Sequence, residues 1–133
     1  MSRHCTAALA KGLAAGLSGG EVLLLQGELG AGKTVFVRGL AAGLGISPDE
    51  VTSPTFVLLT THRGRIDLHH ADLFRVEVSP EELGLDELPG PKGVLAVEWP
   101  ERLSWIPWAR IVRVRLEHLG ADTRRVVIEE DVA

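Results

Sequence analysis

Asparagine is absent from this 133-residue sequence, which also has a single glutamine, Gln26, and a single cysteine, Cys5. Without asparagine there is no Asn-Lys-x-Asp element, by which GTPases recognise guanine, so adenine is the favoured base for any bound nucleotide. One thiol cannot form an internal disulfide, and no metal-ligand spacing of cysteines accompanies it. No apolar run approaches the ~20 residues that a membrane-spanning helix needs, so no membrane partner is expected.

The length and charge of the chain predict one compact domain, residues 1–133, that does not bind nucleic acid by itself. A chain of this length lies within the usual range of a single domain. The formal net charge is -4 at pH 7, so no overall positive field attracts nucleic acid or an anionic membrane. We expect a cytoplasmic location, because Lys11 interrupts the apolar stretch 7–17 and no signal peptide is recognisable.

Two segments have the apolar periodicity of α-helices. Leu9, Leu13 and Leu17 recur every four residues, which predicts a helix over 6–17 with this stripe as its apolar face. A second helix is predicted from residue 33 to about residue 44, before a terminating glycine. Its apolar face consists of Val37, Leu40, Ala41 and Leu44.

The remaining pattern predicts strands. The short apolar runs 22–25 and 94–97 indicate strands that are buried on both faces, as in a parallel sheet covered by helices. Two antiparallel hairpins are predicted, 56–61 with 66–71 and 111–119 with 125–129. Ser79, followed by proline and two acids, predicts a helix start with a capping serine. The expected fold class is therefore α/β, a three-layer α/β/α sandwich with a mixed sheet that is antiparallel toward the C-terminus.

A glycine-rich segment lies between the first predicted strand and the second helix. Its sequence, Gly27-Glu28-Leu29-Gly30-Ala31-Gly32-Lys33-Thr34, matches G-x-x-x-x-G-K-[ST] in the required context. Glycines let main-chain N–H groups approach a phosphate closely, and the start of the helix presents its positive dipole end to the same phosphate. Lys33 is predicted to lie between the β- and γ-phosphates, and Thr34 to offer its hydroxyl to Mg²⁺. A P-loop NTPase-like fold that binds ATP is thus predicted, against the alternative of an ordinary strand–turn–helix.

Acidic residues close two of the predicted strands. Glu98 ends the buried run 94–97, while His70 and Asp72 close the strand before it, so all three are predicted at one end of the sheet. In P-loop proteins such acids hold the magnesium ion or orient the attacking water. Glu98 is predicted in this role, with Asp72 holding the metal through a water that His70 could orient. The alternatives are two solvated acids and a packed histidine.

Three tryptophans, Trp99, Trp105 and Trp108, lie close to Glu98 in the sequence. Packing in the core or against a partner is the default interpretation of such residues, with stacking on a base as the alternative.

Five motifs, in this order, resemble the TsaE (YjeE) family, the ATPase component of the bacterial machinery that synthesises tRNA threonylcarbamoyladenosine. They are the loop 27–34, Val51-Thr-Ser-Pro-Thr-Phe56, His70-Ala-Asp-Leu-Phe-Arg75, Pro80-Glu-Glu-Leu83 and Val97-Glu-Trp-Pro-Glu101. The resemblance spans about 6–127, and the later motifs are far more specific than the P-loop, which many families share.

The resemblance implies a Mg²⁺-dependent ATPase that is slow alone, with Glu98, Asp72 and Lys33 in catalysis. Thr34, Glu98 and Asp72 would be the metal-site residues. The implied nucleotide-binding residues are Gly27, Glu28, Leu29, Gly30, Ala31, Gly32, Lys33, Thr34 and Val35, with Thr6, Thr55 and Trp99. The implied partners are the TsaD and TsaB subunits, and tRNA would be reached only indirectly, through that complex.

The sequence also departs from the family pattern. Phe74 stands where the family usually has tyrosine, so any role of that hydroxyl is lost. The stretch after Glu82 is shorter than usual, and the chain ends soon after Arg125.

Two other functions fit the same motifs. A small-molecule kinase would need an acceptor pocket and usually a lid with arginines, whereas the arginine pairs at 63/65 and 124/125 flank turns of predicted hairpins. A nucleotide-dependent adaptor that never hydrolyses ATP would bind its partners without needing the Glu98 carboxylate.

Overall fold

The computed structural model describes residues 3–27, 32–51, 59–74, 77–119 and 124–132. Within these residues lie two α-helices, six strands and four 3-10 helices. The helices are α1 (Arg3–Ala15) and α2 (Lys33–Gly43). The strands are β1 (Val22–Gln26), β2 (Leu59–His62), β3 (Asp67–Asp72), β4 (Gly93–Glu98), β5 (Arg110–His118) and β6 (Arg124–Val132). The 3-10 helices are Pro48–Glu50, Pro80–Leu83, Leu85–Glu87 and Pro100–Arg102.

The strands form one mixed sheet in the order β2-β3-β4-β1-β5-β6. The four central strands, β3, β4, β1 and β5, are parallel, and β2 and β6 pair antiparallel at the two edges. The predicted α/β fold class is confirmed, including the mixed sheet and its antiparallel pairing toward the C-terminus. Both predicted hairpins are present; residues 56–58 of the first lie outside the described residues.

The two faces of the sheet are covered differently. Both α1 and α2 pack on one face, against Leu23 and Leu25 of β1. The opposite face is covered by 3-10 helices and by the segment 99–108, with Leu85 and Leu103 buried beneath them. This third layer is therefore built from single turns rather than from α-helices in the described chain.

The helix start predicted at Ser79 is present as the 3-10 helix Pro80–Leu83, but the predicted serine cap is wrong. The Ser79 side chain makes no capping hydrogen bond. Gly84 follows in the left-handed region, with φ 72°, and ends the helix after a single turn.

The buried stripe of α1 differs from the predicted leucine stripe. Leu17 is buried, but Leu9 and Leu13 are only half-buried. Among the α1 residues from 6 onward, for which burial is described, the fully buried side chains are instead small, and they are Thr6, Ala10 and Ala14. The four residues predicted for the apolar face of α2 are all fully buried, so that prediction is confirmed.

Small residues let the backbones of α1 and α2 come unusually close. A Cβ atom added at Gly39 would lie 2.8 Å from the Cβ of Ala10, and one added at Gly43 would lie 2.7 Å from the carbonyl oxygen of Lys11. Real Cβ contacts are longer, so only glycine fits at these positions without displacing a neighbour. The earlier glycine, Gly39, meets Ala10, and the later one, Gly43, meets Lys11 and Ala14. The two helices therefore run parallel and begin at the same end of the sheet.

No α-helix in the described part of the chain is both long enough and apolar enough to cross a bilayer.

The close helix contact generates a stability prediction with a matched control. Gly39→Ala is expected to lower the free energy of unfolding by about 1–3 kcal/mol, because an added methyl group overpacks the contact. Gly12→Ala, on the exposed side of α1 where an added Cβ meets nothing within 4 Å, is expected to raise it by about 0.5–1 kcal/mol. Urea denaturation measures both values. Stabilisation by both alanines would contradict the close packing of the helices.

Candidate functional site

The carboxyl ends of β1, β3 and β4 lie together at one end of the sheet. In the parallel register, Asp72 at the end of β3 is paired with Glu98 at the end of β4. On its other side, Glu98 is paired with Leu25, two residues before Gly27. The prediction that Asp72, His70 and Glu98 lie at the same end of the sheet is confirmed. In open α/β sheets, ligands bind outside the carboxyl ends of the strands.

Only the two ends of the glycine-rich loop lie within the described residues. Gly27 follows β1, and Gly32 precedes α2 in the left-handed region, with φ 100°. The carbonyl of Gly32 accepts the first hydrogen bond of α2, from the N–H of Phe36 at 2.9 Å. A side chain at residue 32 would be strained, so glycine is required where the chain turns into the helix. The predicted binding residues Glu28, Leu29, Gly30 and Ala31 lie outside the described residues, as does Thr55.

Lys33, the first residue of α2, points its ammonium group into this end of the molecule. The residue is 6% exposed. Its Nζ donates a hydrogen bond of 2.6 Å to the carbonyl oxygen of Gly27, at the other end of the loop. The same atom lies 3.7 Å from the centre of the Trp99 ring, within cation–π distance. Lys33 therefore links the two ends of the loop, and its ammonium group lies beside the Trp99 ring.

Burial and charge act in opposite directions on Lys33. Burial lowers the pKa of the ammonium, and the carboxylates of Glu98, Asp72 and Glu101 oppose that shift. A positive group is thus surrounded by three acids on the strand ends and the following turn. This arrangement brings positive and negative charges together at the carboxyl ends of the strands.

Glu98 is buried, not solvated. It is 4% exposed, and its Oε2 lies 2.5 Å from Nε2 of His70, which is 1% exposed. A carboxylate can only accept hydrogen bonds, so the Nε2–H of His70 donates to it. The alternative of a strand-end acid in water is therefore wrong for Glu98, and His70 is a packed histidine with a specific partner.

Asp72 lies half-buried beside Glu98. Burial and the neighbouring Glu98 carboxylate raise the pKa of Asp72, against weaker lowering effects that include the N–H of Phe74, His70 and Lys33. The N–H of Phe74 donates to Oδ1 of Asp72 at 3.1 Å, which fixes the carboxylate at the turn after β3. The two acids are thus held on adjacent strands despite their mutual repulsion.

Trp99 directly follows Glu98 and adopts φ 61°, an uncommon value for a residue with a side chain. This backbone conformation turns the indole ring back over Lys33. The ring of Phe74 packs against it, with ring centres 5.1 Å apart. Strain in a residue next to a candidate catalytic acid is typical of functional sites.

The default interpretation of the tryptophans as core-packing residues is confirmed for two of them, because Trp99 and Trp108 pack against the same buried cluster. Trp99 lies at the site, whereas Trp108 is held away by hydrogen bonds from its Nε1–H to the carbonyls of Leu85 and Leu88. Trp105 is 48% exposed.

Two further predicted nucleotide-binding residues belong to the helices. Val35 is half-buried in the first turn of α2. Thr6 is 1% exposed in α1, near the end of the sheet at which α2 also begins. Beside the loop, a cleft of about 430 Å³ has Gly27, Trp99, Glu101 and Arg115 among its lining residues. Its size lies within the range of small-molecule sites.

The oxygen donors here are of the type that Mg²⁺ prefers. They are the hydroxyl of half-buried Thr34 and the carboxylates of Asp72 and Glu98. Among the residues that the structure describes, no three histidines, cysteines or acids form a group that could enclose a metal ion. The donors nevertheless fit Mg²⁺ that arrives with a nucleotide, because proteins usually hold it by one or two carboxylates together with phosphate oxygens.

Comparisons with known proteins show which family this chain resembles. The family model described as "Threonylcarbamoyl adenosine biosynthesis protein TsaE" matches residues 1–126. A protein of Treponema pallidum named tRNA threonylcarbamoyladenosine biosynthesis protein TsaE is 40% identical over 114 residues, 84% of each chain. The protein of the same name from Bacillus subtilis is 42% identical over 123 residues, 91% of this chain and 77% of that one.

A solved structure is also similar. The crystal structure of Bacillus subtilis YdiB matches with a TM-score of 0.74 and 34% identity, covering 100% of this chain and 82% of that chain. The predicted fold class, a P-loop NTPase-like α/β sandwich with a mixed sheet, is confirmed by this similarity and by the sheet itself.

The raised pKa of Asp72 predicts that this carboxylate lowers the stability of the folded chain at neutral pH. Because its pKa is raised on folding, the ionised carboxylate destabilises the folded chain at neutral pH. Asp72→Asn is therefore expected to raise the free energy of unfolding at pH 7. The gain should shrink as the pH falls through the raised pKa, and vanish below the unfolded value of about 3.9.

Urea denaturation between pH 3 and pH 7 measures this difference, with Asp86→Asn as an exposed control. A gain that is constant over the whole range, or a loss of stability at pH 7, would contradict the assignment.

Proposed function

This chain belongs to the TsaE family, and we propose that it is the ATP-binding and ATP-hydrolysing subunit of tRNA N6-threonylcarbamoyladenosine biosynthesis. The family's role in that pathway is given by its description and by the names of the similar proteins. Hydrolysis of ATP by this chain, its dependence on Mg²⁺ and its action on TsaD and TsaB are the proposed parts.

One observation carries the proposal. The buried ammonium group of Lys33 stands at the N-terminus of α2, opposite two carboxylates that end adjacent parallel strands. A lysine in this position supplies positive charge to a polyphosphate, and the start of the helix adds its N–H groups and dipole. Of its three N–H donors one is taken by Gly27, so others can bind phosphate oxygens.

Each residue of the site has a proposed role. Lys33 and the loop amides offset the negative charge of the β- and γ-phosphates. Glu98, whose carboxylate is held by His70, orients the attacking water toward the γ-phosphorus. Asp72 and the Thr34 hydroxyl, together with Glu98, would hold Mg²⁺, which neutralises charge on the phosphates when bound.

The proposed partners are proteins rather than nucleic acid. The net charge of -4 gives no overall attraction for tRNA, so the chain would reach tRNA only indirectly, through the TsaD–TsaB complex. In this proposal the group-transfer chemistry belongs to the partners, and hydrolysis by this chain resets their complex between rounds of modification.

The lysine is tested by nucleotide binding. Lys33→Ala is expected to weaken ATP binding by about 10–100-fold, because hydrogen bonds to charged groups contribute about 1.5–3 kcal/mol. Equilibrium dialysis with radiolabelled ATP and MgCl₂ measures the dissociation constant, and Lys92→Ala, an exposed lysine outside the site, is the matched control. If the folded wild-type chain retains no label at millimolar ATP, the proposed function is wrong.

The acid is tested by turnover. Glu98→Gln is expected to retain ATP but to lower its hydrolysis by about 10²–10⁴-fold, the usual contribution of a positioned acid or base. With purified TsaD, TsaB and tRNA, this variant should stop modification after the first round, while Glu87→Gln, an exposed acid, should sustain it.

Other outcomes identify the alternatives. Normal multi-round modification by Glu98→Gln would favour a nucleotide-dependent adaptor that does not hydrolyse ATP. ATP consumption stimulated by a metabolite, and insensitive to TsaD–TsaB, would favour a small-molecule kinase.

A further inference from the structure

His70 and Glu98 form a buried pair near the carboxyl ends of β3 and β4. The two side chains are 1% and 4% exposed. On β3, His70 is paired with Ala96 of β4, two residues before Glu98. Ala96 belongs to the core beneath α1 and α2, and side chains two residues apart share a face of a strand. His70 and Glu98 therefore both face the layer of α2, on the side from which the phosphates would approach.

The contact restrains the carboxylate of Glu98 through one oxygen. Nε2–H of His70 donates to Oε2 at 2.5 Å, as expected of a hydrogen bond to a charged acceptor. Because a glutamate side chain rotates about several bonds, a single buried donor on a rigid strand can select one orientation of it.

Without that donor, two neighbours would act on Glu98 in opposite directions. The Asp72 carboxylate on the next strand repels it, and the ammonium of Lys33 attracts it. A collapse of Glu98 onto Lys33 would neutralise the charge that the phosphates need. The Nε2–H of His70, on β3, competes with this attraction by holding Oε2 of Glu98.

We propose that His70 is a positioning residue for hydrolysis, which acts by holding Oε2 of Glu98 so that the carboxylate keeps its orientation toward the attacking water. The proposal rests on the proposed function, since it needs the chain to hydrolyse ATP. It assigns to His70 a role that is separate from nucleotide binding and from direct contact with the reacting atoms.

The first test separates orientation from binding. His70→Leu, which keeps side-chain volume but removes the donor, is expected to lower kcat for ATP hydrolysis by about 10–100-fold, as for other residues that orient a metal-site carboxylate. KM and the dissociation constant of ATP should change little. His70→Gln, whose amide N–H reaches about as far as Nε2, should recover most of the rate, whereas His70→Asn, with a shorter side chain, should not.

Two controls exclude a general effect on folding. His69→Gln changes the neighbouring histidine on the opposite face of β3, which contacts Thr61 rather than the site, and should leave kcat unchanged. The comparison of His70→Gln with His70→Asn stays informative if His70→Leu does not fold, because both variants bury a polar amide.

A double-mutant cycle tests whether His70 acts through Glu98. In single-turnover hydrolysis of bound ATP, His70→Asn should slow the wild type but have almost no further effect on Glu98→Ala. In parallel, a ¹H–¹⁵N spectrum should show an exchange-protected Nε2–H proton of His70 that is lost in Glu98→Ala.

The outcomes distinguish the two proposals. A wild-type chain that neither binds nor hydrolyses ATP overturns the proposed function and the role of His70 with it. Hydrolysis by the wild type, together with unchanged kcat in folded His70→Leu or equal rates in His70→Gln and His70→Asn, overturns the positioning role alone. Additive effects in the cycle do the same.

Discussion

The buried ammonium group of Lys33 is the charge around which this end of the molecule is organised. Taking an ammonium out of water is costly unless other groups compensate for it. Here the carbonyl of Gly27 accepts one of its hydrogen bonds, the Trp99 ring covers it, and the acids of the neighbouring strand ends lower the cost further. A polyphosphate would provide stronger compensation than any of these groups, which is a physical reason for the site to favour an anionic ligand.

The position of that charge depends on packing far from it. Lys33 is the first residue of α2, and α2 is held on the sheet by its contact with α1, where Gly39 and Gly43 allow the backbones to approach closely. The acids depend in turn on the parallel register of β3, β4 and β1, which sets Asp72 beside Glu98. Helix packing and strand register together therefore fix the distances between the charges, and neither alone would do so.

Much of this arrangement is predictable from the sequence because it depends on local patterns. Apolar runs such as 22–25 identify buried strands. If those strands are parallel, the acids that follow them must lie at the same end of the sheet. The contact between His70 and Glu98 is not predictable in this way, because it joins residues 28 positions apart and depends on register.

The wrong prediction for the buried face of α1 has a similar cause. The leucine stripe of α1 is apolar, yet alanines form the closest contact because the glycines that match them lie on another helix. The replacement of tyrosine by Phe74 can be judged in the same terms. The described roles of this residue are ring packing on Trp99 and an N–H donated to Asp72, and neither uses a hydroxyl. Phenylalanine thus preserves both the aromatic cover over Lys33 and the anchor of Asp72, so this departure from the family pattern leaves the charge arrangement of the site intact.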